Sequence, residues 1–486
     1  LGDQTNEKER LSYMPNLTTL DRIADAASRF FMPELLATED FDSFESSVSG
    51  QSRQIGALCL KSCLESFDKM LREHLPRGWT LHDVRQRTLI TLLGAVTYRR
   101  SVYIDAFGNR RTWLDEILGI PKRSRLSTGA FLWVARHAAQ ASYRKTALEF
   151  RKLTGVAISH VCVMNCVHAE GALLKSEQAR PSGPKVSQDE IFTEVDGLWI
   201  NLQSGKHRKR ALPRFRYERA RKTASFELKM ACIYAGKRQV GPGRYERGNL
   251  GVVVGDDAPE AFWDSVAARI AADYEAGDLK RIWLGHDGAQ WCGAERLARA
   301  FAAADVIGSL DPYHVMKYIT RAFPEGGERE HAVHLACSAQ GEKLAETSRR
   351  IADGMRDGPA KQRVEELARY AGGNAADIRF PSPSMGTMEA TNYHVGAARC
   401  KNNATSWSRR GAEAICLIRA ALQTGRPLVG PDKGALFGEK EKERKQAMLS
   451  RFTPSSIPAV VGSGYEMPFS HASIPKSASI SVARRA

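Results

Sequence analysis

Apolar and polar residues follow two different periodicities along this chain. From 54 to 75 and again from 114 to 174, apolar residues recur at helical spacing, which predicts helices. Beyond a linker at 180–188, short apolar runs alternate with helical patterns, which predicts strands and helices in turn. The predicted strands are 191–203, 225–234, 250–254, the run from 281 that ends at Asp287, and 306–310. Three strands, a helix, a strand, a helix and a strand indicate an α/β fold, a mixed sheet with helices packed on it.

The same patterns divide the chain into regions. They are a flexible arm (1–50), a helix with a small strand-rich module (51–120), a helical region (121–179), the first part of an α/β core (189–314), a helical insertion (315–380), a closing helical segment (381–425) and a basic tail predicted to be disordered (426–486). Within 121–179, one helix ends at Gly155 and Ser159 caps the next. This is the helix-turn-helix layout of DNA-binding proteins, although any helical hairpin shares it.

Charge narrows the class of partner. The 486 residues include 71 Lys and Arg against 55 Asp and Glu, a formal charge of +16, which favours nucleic acid over an anionic membrane surface. No apolar run approaches the roughly 18 residues of a membrane helix, and no secretory signal pattern opens the sequence. Nine cysteines without a regular framework fit a reducing compartment. We therefore expect a cytoplasmic, nucleoid-associated protein without a membrane partner.

Two carboxylates lie at positions of the predicted sheet where binding or catalytic residues are expected. Asp287 follows an apolar strand directly, and ligands gather at the carboxyl ends of strands in open α/β sheets. Asp196 lies inside the strand 191–203. Two carboxylates on neighbouring strands repel each other unless a cation or a shared proton lies between them. Glu389, just after the break at Gly386, is the best third candidate. Three acids of this kind suit two Mg²⁺ ions, with Mn²⁺ as a substitute.

Four neighbouring residues leave alternatives open. Glu194 shares a strand face with Asp196 and is either a further metal ligand or a partner of the site. Asp311 is either a ligand or the N-cap of the next helix. His286 and His314 are either adjacent to the site or satisfied core histidines.

Two basic, aromatic clusters are candidates for DNA binding. The first lies between 206 and 222, where Phe215 and Tyr217 alternate with arginines and offer stacking faces beside phosphate contacts. Its predicted DNA-binding residues are Lys206, Arg208, Lys209, Arg210, Arg214 and Arg216. The second follows Glu389 and contributes Arg399, Lys401 and Trp407. The alternative for such a charge run is a solvated surface.

Several motifs in this order resemble bacterial insertion-sequence transposases with an Asp-Asp-Glu site, most closely the ISLre-type group. The resemblance spans roughly residues 85–425. It is carried by 195–200 (VDGLWI), 285–291 (GHDGAQW), 310–314 (LDPYH), 385–392 (MGTMEATN), 399–401 (RCK) and 406–408 (SWS). Family members usually have a basic residue where Pro312 stands, so the resemblance assigns no role to 311–314 here.

The resemblance implies a function and a fold. Asp196, Asp287 and Glu389 match the catalytic triad, and 315–380 matches the helical insertion before the glutamate. The implied fold is a ribonuclease-H-like mixed sheet as catalytic core, preceded by a mainly helical DNA-binding region. The implied activity is metal-dependent cleavage at the terminal inverted repeats of a mobile element and strand transfer into target DNA, by a homo-oligomer assembled on DNA.

Overall fold

The computed structural model describes residues 17–181, 183–203, 225–379, 385–401 and 405–431. It begins with two helices, α1 (Leu17–Ala37) and α2 (Phe41–Glu73). Residues 17–37 and 41–50, which the sequence predicted as part of a flexible arm, are helical. One reason lies in the local sequence: the Asp40 carboxylate accepts the backbone N–H of Ser43 at 2.7 Å and caps α2.

A small antiparallel sheet follows, as the sequence predicted for 51–120. Its strands are β1 (Thr80–Thr91), β2 (Gly94–Ile104) and the short β3 (Arg110–Arg111), and helix α3 (Trp113–Leu118) follows them. Asp115 of α3 is buried and accepts from Arg87 at 2.6 Å and from Tyr98 at 3.1 Å. These contacts hold α3 against β1 and β2.

Three helices come next, α4 (Thr128–Ala138), α5 (Tyr143–Thr154) and α6 (His160–Ser176). The predicted hairpin of α5 and α6 is present with the predicted caps. Gly155 ends α5 in the left-handed region at φ 73°, and the Ser159 hydroxyl accepts the N–H of Cys162 to open α6. The helix-turn-helix layout therefore stands, and DNA binding by it stays a prediction.

The central sheet contains all five predicted strands. The strands and helices of this region are β4 (Glu190–Asn201), β5 (Ser225–Tyr234), β6 (Lys237–Gly241), β7 (Arg244–Arg247), β8 (Gly251–Gly255), α7 (Pro259–Asp273), β9 (Arg281–His286), α8 (Glu295–Ala300) and β10 (Asp305–Leu310). Five strands pair in the order β10-β9-β4-β5-β8. Strands β10, β9 and β4 run parallel, whereas β5 is antiparallel to both β4 and β8. Strands β6 and β7 form a separate hairpin that the sequence pattern did not predict.

Helices make up the remaining described part of the chain. The expected insertion comprises α9 (Pro312–Ala322), α10 (Gly327–Cys337), α11 (Gly341–Asp353) and α12 (Pro359–Gly373), followed by a 3₁₀ turn (Ala375–Asp377). The closing segment comprises α13 (Met388–Asn392), a π-helical turn (Tyr393–Ala397), α14 (Ala398–Cys400) and α15 (Arg409–Gln423).

Hydrophobic cores on the two faces of the sheet tie these regions together. One core joins Leu198 and Met230 of the sheet to Val134 of α4, Val163 of α6 and Ile415 of α15. The opposite face packs on α7 and α8, and the insertion has a third core of its own. The predicted helical region and closing segment thus share a core with the sheet. None of the helices in the described ranges is long and apolar enough to cross a membrane.

Candidate functional site

A cavity of about 600 Å³ lies where the parallel strands end. Asp287 follows β9 directly and Asp311 follows β10 directly, while Asp196 belongs to β4. Strands β4 and β9 pair in parallel with Glu194 opposite Gly285, so continuing this register sets Asp196 level with Asp287. Every residue predicted as a metal ligand or as adjacent to the site lines this one cavity. They are Glu194, Asp196, His286, Asp287, Asp311, His314 and Glu389.

The side chain of Asp196 is largely buried, and a negative charge on its carboxylate is unfavourable there. Burial raises the pKa of its carboxyl above the ordinary value, and the negative charge of Asp287 adds to this, while a hydrogen bond from Asn392 opposes it. The Asn392 side-chain amide donates to one carboxylate oxygen, and the backbone N–H of Gly197 donates to the other at 2.7 Å. A cation in the cavity would offset the mutual repulsion of Asp196 and Asp287.

Asp287 is fixed through its backbone and through one side-chain oxygen. The N–H of Ala289 donates to that oxygen at 2.9 Å, and the thiol of Cys292 lies 3.8 Å from it. The Tyr370 hydroxyl of α12 donates to the Asp287 carbonyl at 2.9 Å. The helical insertion therefore reaches into the site and helps to hold the turn that presents Asp287.

Glu389 differs from the two aspartates because its side chain is exposed. It belongs to the first turn of α13 and, within the described ranges, its carboxylate has no hydrogen bond or ion pair. The oxygen donors fit a hard divalent cation in chemistry. Among the described residues, however, no group of three or more His, Cys, Asp or Glu side chains is arranged to hold a metal ion.

Glu194 has a set of partners that the sequence did not reveal. Its buried carboxylate accepts hydrogen bonds from the backbone N–H groups of Gly386, Thr387 and Met388 and from the hydroxyl of Tyr234. Of the two alternatives, the geometry favours a partner of the site over a further ligand.

The two histidines and Asp311 also have defined partners. His286 is buried; its Nδ1 accepts the N–H of Gly288, so Nε2 carries the proton and donates to Asp377 at 3.0 Å. Asp311 is the N-cap of α9, accepting from the N–H of Tyr313, and it also bonds His314 Nδ1 at 3.0 Å. The carboxylate of Asp311 raises the pKa of His314, and the nearby Asp287 and Asp196 contribute in the same direction. When protonated, His314 therefore contributes a positive charge to the cavity.

The predicted DNA-binding residues have different outcomes. Lys206, Arg208, Lys209, Arg210, Arg214 and Arg216 lie outside the described residues. Lys401 is exposed, so DNA binding by it stays a prediction.

Trp407 and Arg399 have packing contacts that the sequence did not predict, and DNA binding by them stays a prediction. Trp407 is only 8% exposed, because it packs in the core and its backbone pairs with β4 at Asn201. Arg399 stacks over Trp407 at 4.7 Å and donates to the Ala141 carbonyl at 2.7 Å, so its guanidinium serves packing.

Three residues at the site were missed from the sequence. Asn392 contacts Asp196, while Tyr370 and Asp377 of the insertion contact Asp287 and His286. For Asn392 a signal existed, because it follows Glu389 by three residues and so shares its helix face. For Tyr370 and Asp377 none existed, since only the fold of the insertion brings them to the cavity.

The fold and the site define the class of this protein. It is an α/β protein with acidic side chains at the ends of parallel strands. The chain belongs to the Uncharacterised protein family (UPF0236), whose model matches residues 37–429. One relative, a UPF0236 protein of Caldanaerobacter subterraneus subsp. tengcongensis, is 23% identical over 385 residues, 76% of this chain and 76% of the relative. Another from the same bacterium is 24% identical over 383 residues, and its name joins eleven loci.

Two further comparisons extend beyond that bacterium. A UPF0236 protein in the vanSb 3′ region of Streptococcus gallolyticus is 22% identical over 406 residues, 80% of this chain and 85% of the relative. Among solved structures, the Drosophila P element transposase strand transfer complex matches at 9% identity with a TM-score of 0.24, over 62% of this chain and 80% of that chain. A likeness of this size carries no argument about fold or function.

Proposed function

We propose that this protein is an insertion-sequence transposase of the ISLre type with a ribonuclease-H-like core, which cleaves DNA at the ends of its element and joins them to target DNA. The observation that carries the proposal is the single cavity lined by Asp196, Asp287 and Glu389, which come from two neighbouring parallel strands and a distant helix. The strand order supports it, since three antiparallel-paired strands continue into two parallel ones.

The chemistry follows from the donor set. When bound, two divalent ions, Mg²⁺ or Mn²⁺, would supply charge stabilisation for an in-line phosphoryl displacement. Asp196 and Asp287 would hold them, with Glu389 completing the set. Asn392 orients Asp196 through its amide, and the turn held by Tyr370 orients Asp287. His314 lines the same cavity, and in its protonated form it would contact a phosphate oxygen of the DNA.

Charge and helical layout support DNA as the substrate. The formal charge of +16 favours a polyanion. Helix α5 exposes Arg144, Lys145, Arg151 and Lys152, while the first turn of α6 exposes His160 and Val161. This is the arrangement of a backbone-contacting helix beside a recognition helix. We propose that this pair binds the terminal inverted repeats, and that the protein acts as a homo-oligomer on DNA.

The name of one relative supports the proposal that the gene belongs to a mobile element. A name that joins eleven loci in one bacterium describes a repeated sequence, as expected of a mobile element.

The proposal predicts metal-dependent cleavage that depends on Asp287. The test uses the full-length chain, a labelled DNA fragment carrying the sequences that flank its gene, and Mg²⁺ or Mn²⁺. Wild-type protein should release 3′-hydroxyl ends and join them to a second DNA, whereas Asp287→Asn should lose both activities and still bind DNA. Asp305→Asn is the matched control, because Asp305 is exposed at the opposite end of the neighbouring strand β10. Cleavage by Asp287→Asn would refute the assignment, and cleavage without joining would indicate a nuclease of the same fold.

A second candidate is a catalytically inactive relative that serves as a DNA-binding protein. One observation favours it: the described residues contain no group of three side chains that is arranged to hold a metal ion. DNA binding without cleavage at any concentration of either metal would select this candidate.

A further inference from the structure

Glu194 makes the densest set of side-chain hydrogen bonds at the cavity. One carboxylate oxygen, Oε2, accepts the backbone N–H groups of Gly386 at 2.8 Å, Thr387 at 2.9 Å and Met388 at 3.2 Å. The other, Oε1, accepts the hydroxyls of Tyr234 at 2.6 Å and Thr387 at 2.5 Å. Three consecutive N–H groups converge on one side chain that is about 190 residues away in sequence.

These contacts suit an ionised carboxylate and leave it little capacity for a metal ion. A carboxylate offers about four lone-pair positions, and five donor groups occupy them here. Burial raises the pKa of Tyr234, and the neighbouring negative charge of Glu194 raises it further, so the phenol stays protonated and donates. Hydrogen bonds of this charged kind are the strong ones in proteins.

The segment that Glu194 holds is the one that bears Glu389. Its far end is attached to the same strand, because Asn392 donates to Asp196, two residues after Glu194 on β4. Basic side chains of the β6–β7 hairpin fasten it as well: Lys237 donates to the Met385 carbonyl and Arg247 to the Thr391 hydroxyl, both at 2.7 Å. The exposed Glu389 carboxylate lies between these attachments and has none of its own within the described ranges.

We infer that Glu194 is a positioning residue: it fixes residues 386–388 to β4 and thereby sets the position of Glu389 relative to Asp196. The inference rests on the proposed function for the role of Glu389, while the contact itself does not. Glu194 therefore acts through the segment it holds, and it contributes no oxygen to a metal.

Glu194→Gln is the direct test, with Glu190→Gln as the matched control. Both residues belong to β4, and Glu190 lies at its far end, outside the cavity. Replacing the carboxylate by an amide removes the negative charge and one of the two acceptor oxygens, so the five donor groups share a single neutral acceptor. Hydrogen exchange of these amides should then accelerate by roughly ten- to a hundredfold. Binding of Mn²⁺ alone, measured by calorimetry, should weaken by roughly ten- to a hundredfold, as for other residues that orient ligands.

The outcomes separate positioning from ligation. Faster exchange of 386–388 together with weaker Mn²⁺ binding supports the inference. Weaker Mn²⁺ binding with unchanged exchange makes Glu194 a ligand and overturns it, as does unchanged behaviour in both measurements. Neither readout requires cleavage, so a protein that never cuts DNA refutes the proposed function and leaves the exchange result standing.

Thr387 supplies a milder pair of variants in case Glu194→Gln does not fold. Thr387→Val removes the hydroxyl that donates to Glu194 and keeps the shape, whereas Thr387→Ser retains the hydroxyl. We expect faster exchange of 386–388 and weaker Mn²⁺ binding in the valine variant, with recovery of both in the serine variant. Equal behaviour of the two variants would overturn the inference.

Discussion

Gly171 is the residue that lets α6 lie directly against α15. A Cβ atom added there would lie 2.4 Å from the Cβ and 2.6 Å from the Cα of Ala414. Carbon atoms pack at about 3.5–4.0 Å, so the two helices must move apart by roughly 1 Å to admit a methyl group. The contact matters for function because α6 is the predicted recognition helix and α15 belongs to the core beneath the sheet.

Two opposing effects decide the size of the perturbation. Alanine is a better helix former than glycine by about 0.8–1.0 kcal/mol in a helix interior. Overpacking of a core costs about 1–3 kcal/mol. The atoms that the new methyl group meets are fixed to the backbone of α15 and cannot rotate away, which favours the upper part of that range. We therefore expect Gly171→Ala to lower the free energy of unfolding by about 1–2 kcal/mol.

Urea unfolding with a double-mutant cycle measures this effect. Ala414→Gly removes the methyl group on the facing helix but leaves the Ala414 Cα at 2.6 Å, so Gly171→Ala with Ala414→Gly should be more stable than the two single effects added together by only about 0.5–1 kcal/mol. Ala172→Gly, on the exposed side of α6, reports helix propensity alone and should cost about 1 kcal/mol. A Gly171→Ala protein at least as stable as the wild type would contradict the close approach of these helices.

Three further changes test other parts of the structure. Because burial and Asp287 raise the pKa of Asp196 above its ordinary value of 3.8, the ionised carboxylate destabilises the native state, and this penalty disappears as the pH falls through the folded pKa. Asp196→Asn should therefore raise the melting temperature in EDTA at about pH 7, by an amount that shrinks toward about pH 4; a gain independent of pH would contradict this. Asp377→Ala removes the acceptor of the buried His286 Nε2–H and should cost about 1–3 kcal/mol in urea unfolding, while Asp377→Asn, which keeps an acceptor, should cost less. Arg269→Met removes the buried ion pair with Asp273 at 2.6 Å and the donor to the Gln178 and Arg180 carbonyls, and should cost about 3–5 kcal/mol. Arg269→Met with Asp273→Leu should recover part of that loss; no recovery at all would show that the ion pair is not the cause.

The substitutions that abolish DNA cleavage and those that lower the free energy of unfolding should fall on different residues. Asp196→Asn is expected to stabilise the protein while removing activity, whereas Gly171→Ala is expected to destabilise it without touching the cavity. This opposition is typical of sites where like charges are held together for binding rather than for stability.

The sequence by itself determined the elements. Alternation and helical periodicity are local, so the five strands of the sheet and the α5–α6 hairpin with its Ser159 cap could be predicted. The end of a strand is also a local feature, which is why Asp287 could be identified as a candidate. Asp196 could be identified from its place in the predicted strand 191–203, and Glu389 from the break at Gly386 that precedes it.

Tertiary structure decided what those residues contact. Trp407 looked like a DNA-stacking residue and is a core residue, because burial depends on packing against Tyr143 rather than on neighbours in sequence. Glu194 is buried and hydrogen-bonded, which decides between its two predicted roles, whereas Glu389 is exposed. The physical reason is that hydrogen bonds such as those from 386–388 to Glu194 join residues far apart in the chain, and no local spacing encodes which distant donors a side chain will meet.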